Sequence, residues 1–322
     1  MSVYTTVALE QVQQLAEHYQ LRVTGLIPIQ AGIENTNYFV QLDTPQQLVL
    51  TIFEEMSLND IHELIPLLEY LKQQGLPVAA PLSDQAGQVI HFIQTKPAQL
   101  APRLMGQPPM QPTVRQVSEM ANTLARLHLT LRTYPLHRDN NHGQVWWQHS
   151  RDELMPGLTP ADQALLIQSF AQFEAAQQQY PDRPCGLIHG DLFRDNTLFD
   201  GNTLTGLLDF SELAYDEWLL DIAICLNDFC SQWPNVSLDL EKAQAFIQAY
   251  HQVRPLTGDE QQALPIYLAM AACRFWLSRL QIAARNQLEA RNGEHILQKD
   301  PAEMRAMLAD RLHSPLTISG LE

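Results

Sequence analysis

Long apolar runs are the first thing this chain lacks. No window of its 322 residues approaches the roughly 18–20 continuous apolar residues of a membrane-spanning helix, so no membrane partner is expected. Basic residues are scarce. Against 36 Asp and Glu stand 20 Lys and Arg, a formal net charge of −16, and no Lys/Arg run offers a local exception. Such a surface repels nucleic-acid phosphates and argues against nucleic acid as a partner. It serves solubility and would suit a cationic substrate. The opening residues MSVYTTVALEQ have no basic segment followed by an apolar stretch, which predicts no secretory leader and a cytoplasmic protein. Cysteine is limited to Cys185, Cys225, Cys230 and Cys273, with no CxxC pair. Flanked by apolar residues, all four read as reduced, buried thiols rather than disulfides or metal ligands. What remains, 45% apolar and 17% charged, is an ordinary globular chain with room for about two domains.

The hydrophobic period changes along the chain. Leu9, Val12, Leu15 and Tyr19 mark one face of a helix over Ala8–Tyr19. The segments "LIPIQ", "TNYFVQL" and "QLVLTIF", parted by "AGIEN" and "DTPQ", read as strands and turns. Helical spacing returns over 58–74 through Leu58, Ile61, Leu64 or Ile65, Leu68 and Leu71, with Pro66 expected to kink that helix or sit near its start. "VIHFIQ" and an extended segment running to about Leu104 complete an antiparallel sheet crossed by one long helix. After the Pro-rich "MGQPPMQPT" the chain turns mainly helical, beginning with a capping box at Thr113 and Gln116 and a stripe of Val117, Met120, Leu124, Leu127 and Leu131. This predicts an α+β protein of two domains, 1–104 and 105–322.

The helical part is broken by "CGLIHGDLFRDNTLFDGNTLTGLLDF", residues 185–210. Asp200-Gly201-Asn202 is a hairpin tip between two apolar runs. His189-x-Asp191 lies where the strand "GLI" runs out into a loop, Asn196 precedes the first hairpin strand, and Asp209 follows the second. A hairpin can bring Asn196 and Asp209 to neighbouring positions at one end, as hard oxygen donors suited to Mg2+. Asp191 beside them could accept a proton from an attacking hydroxyl. H-x-D-x-x-x-x-N followed by a strand-end Asp is the spacing of the protein-kinase catalytic loop and its metal-binding Asp. The plainer alternative is an Asp/Asn-rich turn. His189 reads as a brace for the loop, Arg194 and Asp195 as solvated or locally paired. Asp221, a lone acid in "WLLDIAICLND", needs buried partners and reads as a second brace. His128 reads as a packed core histidine.

"LIHGDLFRDNTLF", "GLLDF" and "WLLDIAICLND" resemble the aminoglycoside phosphotransferase-like kinases. "AGIENTNYFV", "LVLTIFEE", "LLEYLKQQGLPVAAPL", "LARLHL" and "RFWLSRL" look closest to the homoserine kinase branch, so the resemblance spans nearly the whole chain. It implies a bilobal protein kinase-like fold with ATP in the cleft, a small sheet-bearing N-terminal nucleotide lobe and a larger helical catalytic and substrate lobe. By motif position it implies Asp191 as catalytic base, with Asn196 and Asp209 as Mg2+ ligands. "AGIENTNY", with Gly32, Asn35 and Thr36, would cover the phosphates; read alone it is equally a hairpin loop. The stretch Arg103–Met105, with Leu104 and Met105, would be the hinge that meets adenine.

One departure stands out. Thr51 occupies the strand position where many kinases carry the ATP-binding lysine, and the only lysines of the first third are Lys72 and Lys96, neither on that strand. Thr51 is thus expected at the nucleotide with the phosphate cation unassigned. Glu63 or Glu69 faces the cleft or is surface charge. A homoserine acceptor needs an acid for its ammonium and a fixed cation for its carboxylate. Arg274 and Arg279, five apart on one helix, do not share a face. One of them holds the carboxylate, or both make ordinary helix–helix ion pairs. The expected reaction is ATP-dependent phosphorylation of the homoserine hydroxyl within threonine biosynthesis. Choline or an aminoglycoside as acceptor, and a nucleotide-binding pseudokinase, are the alternatives.

Overall fold

The computed structural model describes residues 5–29, 35–288 and 299–317. The chain divides into two compact units. One holds the described residues up to Gly106 together with Thr205–Leu208; the other holds Gln107–Leu204 and the described residues from Asp209 onward, outside 291–297.

In the first unit, α1 (Leu9–Glu17) is followed by β1 (Val23–Pro28), β2 (Asn35–Leu42), β3 (Gln47–Phe53), α2 (Leu58–Gln73), β4 (His91–Ile93) and β5 (Lys96–Pro102). The strands form one antiparallel sheet in the order β1-β2-β3-β5-β4. Strict alternation sorts its faces, because successive side chains of a strand point to opposite sides. Tyr38, Val40 and Leu42 of β2 and Leu48, Leu50 and Ile52 of β3 are buried with Val12, Leu15 and Ala16 of α1 in one cluster. Asn37, Thr51 and Gln99 stand in cross-strand register on the other face. In α2 the buried stripe is Ile61, Leu64, Leu67 and Leu71. Leu58 departs from the expected stripe: it begins the helix just after the N-cap Ser57 and is exposed. Pro66 sits mid-helix, where it withholds one backbone donor.

The second unit is mainly helical. Its helices are α3 (Val114–Leu131), α4 (Gln144–Leu154), α5 (Pro160–Gln179), α6 (Trp218–Phe229), α7 (Leu240–Val253), α8 (Gly258–Leu288) and α9 (Pro301–His313). The predicted capping box forms, with Thr113 Oγ1 accepting from the Gln116 amide and Gln116 Oε1 from the Thr113 amide. Val117, Met120, Leu124, Leu127 and Leu131 are all buried, and α3 packs on α7. Every residue of α6 is buried, and the helix lies against α8, which also packs on α5 and α9. Between α5 and α6 run β6 (Cys185–Ile188), β7 (Thr197–Asp200), β8 (Thr203–Leu207) and β9 (Ala214–Glu217); β7 and β8 form the predicted hairpin. Strand β9 was not expected, since "AYDE" has no apolar alternation; it is a backbone partner of β6. Cys225, Cys230 and Cys273 are buried as predicted. Cys185 is exposed, against the expectation, because it is the first residue of β6 and burial begins only at Gly186.

Candidate active site

The polar loop that follows β6 is hung from one helix. Asp221 of α6, fully buried, accepts from the His189 amide through Oδ2 (2.8 Å) and from the Gly190 amide through Oδ1 (3.0 Å). Its Oδ2 also faces His128 Nε2 of α3 at 3.1 Å, and His128 Nδ1 lies 2.6 Å from the Tyr250 hydroxyl of α7. Tyr250 accepts in turn from Arg254 Nε (2.7 Å). The imidazole of His189 packs on Phe210, and its Nδ1 accepts from the Asp191 amide (3.3 Å). Gly190 has φ +79°, and a Cβ there would stand 2.6 Å from the Glu212 carbonyl oxygen; only glycine fits this bend. Asp221 and His189 thus hold the backbone amides of residues 189–191.

Asn196 closes the loop at the end of a single 3-10 turn, Arg194–Asn196. Its Nδ2 donates to the Asp191 carbonyl (2.8 Å) and to Asp191 Oδ2 (3.0 Å). Asp209 stands two residues beyond β8 in the left-handed region (φ +56°), a conformation aspartate tolerates better than most residues. Its Oδ1 accepts from the Ser211 amide (3.2 Å) and hydroxyl (2.6 Å). Burial pushes the Asp191 carboxyl well above the usual carboxylate range; Arg274 pulls it back and the neighbouring Asp209 raises it further. Arg194 and Asp195 are paired, though with residues distant in sequence rather than locally: Arg194 Nε with Asp228 (2.9 Å) and Asp195 with Lys299 (2.8 Å).

The structure separates the two candidate arginines. Arg274 Nη2 donates to Glu212 Oε2 (2.9 Å), and the same oxygen faces His142 Nδ1 at 2.6 Å. Burial acts upward on the Glu212 carboxyl, but His142 and Arg274 outweigh it and hold the group below its ordinary value. Arg279 instead joins α8 to α9 through the Asp300 carbonyl and Glu303 Oε1, both at 2.9 Å, the ordinary helix–helix pair. Sequence reasoning missed Glu212 and His142. "HRDNNHG", residues 137–143, was a dense polar run that carried the signal; Glu212, three residues after Asp209, carried little.

Among the nucleotide candidates, Gly32 lies outside the described residues. Asn35 opens β2, its carbonyl accepting from Asn37 Nδ2 (3.3 Å). The Thr36 hydroxyl is wholly buried, donating to Glu54, which also pairs with Lys96 and receives the Thr5 hydroxyl. Thr51 donates to Asn37 Oδ1 (2.8 Å) on the opposite face from Thr36, so Lys96 is engaged on the buried side and not beside Thr51. Leu104 and Met105 follow β5; Met105 is largely exposed, and its carbonyl accepts from the Thr205 hydroxyl.

The buried His128–Asp221 pair also sets a pH dependence. Burial holds the His128 imidazole below its ordinary 6.5, outweighing the favourable carboxylate. For Asp221 burial acts upward, yet the hydrogen bonds from His128 and the His189 amide outweigh it and keep the carboxyl below its ordinary 3.8. Both groups bind protons less readily when folded, so the unfolded chain gains protons first as pH falls. The stability they contribute is complete above pH 6.5 and is lost progressively below it. Urea midpoints are expected to drop as pH falls from about 6.5 to about 5, and more steeply than in His128→Gln.

Asp191, Asn196 and Asp209 thus present a carboxylate, an amide and a second carboxylate in this order along one hydrogen-bonded loop. Residues 25–256 match the phosphotransferase enzyme family. The chain is 38% identical over 323 residues to a homoserine kinase of Pseudomonas aeruginosa, covering 99% of this chain and 100% of that one. It is 35% identical over 318 residues to a homoserine kinase of Polaromonas naphthalenivorans, covering 98% and 99%. Among solved structures, an amicoumacin kinase superposes with TM-score 0.69 at 17% identity (95% and 93% covered) and an aminopropanol kinase with TM-score 0.68 at 18% identity (95% and 94%). These share its protein kinase-like α+β fold. The chain belongs to the phosphotransferase enzyme family, on the branch whose curated members carry the name homoserine kinase. Among the described residues no helix is long and apolar enough to cross a membrane.

Proposed function

We propose that this enzyme transfers the terminal phosphoryl group of ATP to the hydroxyl of L-homoserine, giving O-phospho-L-homoserine and ADP. The observation that carries the reading is Asp191, held by Asn196 on its side chain and by His189 on its amide, with Arg274 near enough to act on its charge. Asp191 orients the acceptor hydroxyl and takes its proton as the phosphoryl group is transferred. Asn196 spends its Nδ2 on Asp191, and Asp209 commits Oδ1 to Ser211. One oxygen on each, Asn196 Oδ1 and Asp209 Oδ2, then suits Mg2+, which takes a few protein oxygens and keeps several waters. When bound there, the ion would neutralise charge on the phosphate oxygens.

The residues 1–104 act as the nucleotide lobe and 105–322 as the catalytic and acceptor lobe. Gly32, Asn35 and Thr36 belong to the segment that covers the phosphates, Thr36 shaping it from its buried side, and Leu104 and Met105 offer backbone to adenine. Thr51, in register with Asn37 and Gln99, supports a row of neutral donors where a lysine is usual. Arg274 receives the substrate carboxylate, and Glu212, kept ionised, receives the ammonium.

Alanine at position 274 is therefore expected to raise KM for homoserine about 10–100-fold, the worth of a hydrogen bond to a charged group, with KM for ATP little changed. Alanine at 279 is expected to leave both KM values unchanged and to lower stability by about 1–3 kcal/mol. Steady-state kinetics and urea unfolding on the pair check this. The reading as a whole is tested by ADP release across homoserine, choline and an aminoglycoside, where homoserine should stimulate turnover most. Nucleotide binding without turnover on any of them would overturn it in favour of a pseudokinase.

A further inference from the structure

On the first unit, remote in sequence from the catalytic loop, three metal-ligating side chains converge. His18 caps the C-terminal end of α1, Asp84 opens the turn before β4, and His91 is the first residue of β4. One donor atom from each lies within 4.8 Å of the other two. The imidazoles of His18 and His91 lie 4.8 Å apart between centroids, inclined by 29°. His91 Nε2 and Asp84 Oδ2 are 3.3 Å apart, with side chains 10% and 4% exposed.

Two features distinguish this cluster from a plain histidine–carboxylate contact. His91 Nε2 is buried and makes no hydrogen bond, although it is directed at a carboxylate. A buried polar atom left so is costly and calls for a partner. The second feature is the way Asp84 is held. Its Oδ1 accepts from the amides of Ala86 and Gln88, both at 2.8 Å, which fixes the carboxylate and turns Oδ2 to His91. Metal-ligating carboxylates are held in this manner by outer hydrogen bonds. The separation of 3.3 Å also matches neighbouring donors on one tetrahedral ion, since bonds of about 2.0–2.1 Å at tetrahedral angles put them about 3.3–3.4 Å apart.

We propose that His18, Asp84 and His91 form a zinc site that fastens the end of α1 to the edge strand β4, with water completing the coordination on the side of the exposed His18. Two imidazoles and one carboxylate are a donor set that zinc accepts, whereas Mg2+ and Ca2+ prefer oxygen alone. The site is separate from the phosphoryl-transfer reading and stands whether or not that reading holds.

The test is zinc retention by the full-length, tag-free protein after dialysis with excess zinc and then metal-free buffer, measured by elemental analysis alongside the thermal midpoint. Wild type should retain one equivalent and gain about 5 °C. Asp209→Asn and Cys185→Ser should retain the ion. His91→Gln and His18→Gln should lose it, with affinity reduced by more than the ~10–100-fold that an outer partner contributes. His18 is exposed, so His18→Gln keeps its fold and is the decisive arm should the buried His91 variant unfold. Absence of retained zinc from wild type, its survival in folded His18→Gln, or its loss with Asp209→Asn or Cys185→Ser would overturn the assignment.

Discussion

Replacing Asp191 by Asn is expected to lower kcat for homoserine phosphorylation by about 10²–10⁴-fold, the usual contribution of a positioned general base. The substitution is nearly isosteric. The amide oxygen can still accept from Asn196 Nδ2, and the Asp191 carbonyl and amide contacts are backbone groups that the change leaves alone. Loop geometry should therefore survive while the proton acceptor is lost. ATP binding, measured by calorimetry, should be close to wild type, and the loss should appear in kcat more than in either KM. A variant retaining a tenth or more of wild-type kcat would remove Asp191 from the chemistry.

Asp221→Ala is expected to be the most destabilising single change in the second unit. It strands three buried donors at once: the amides of His189 and Gly190 and the Nε2 of His128. Each buried group left without a partner costs about 1–3 kcal/mol, so a loss of at least about 3 kcal/mol is expected. Against a typical total of about 5–15 kcal/mol, that takes much of the stability. Urea unfolding measures it directly. Asp221→Asn, which keeps one acceptor oxygen, should lose less; a loss under about 1 kcal/mol for Asp221→Ala would mean that water or a rearranged loop satisfies these donors.

Periodicity carried most of the architecture. The alternation in "TNYFVQL" and "QLVLTIF" and the three-four spacing of α3 are properties of neighbouring residues, and the strands and helix formed where those patterns lie. The hydrogen-bonded loop at residues 189–196 was legible for a related reason, because Asp191, Asn196 and the hairpin turn are set within a few residues of one another. Strand β9 and the Leu67 position of α2 were not legible, since a backbone partner and a neighbouring surface decided them.

Local order along the chain thus determined the α+β composition, the hairpin, and the identity of the acid–amide–acid loop. Which arginine meets Glu212, that His142 joins it, that Lys96 is spent on Glu54, and that His18 reaches Asp84 and His91 were decided by tertiary structure. The physical reason is range. Backbone propensity and hydrophobic period act over a few residues, whereas these contacts join groups from 42 to 73 positions apart, where only the packing of whole elements sets the distance.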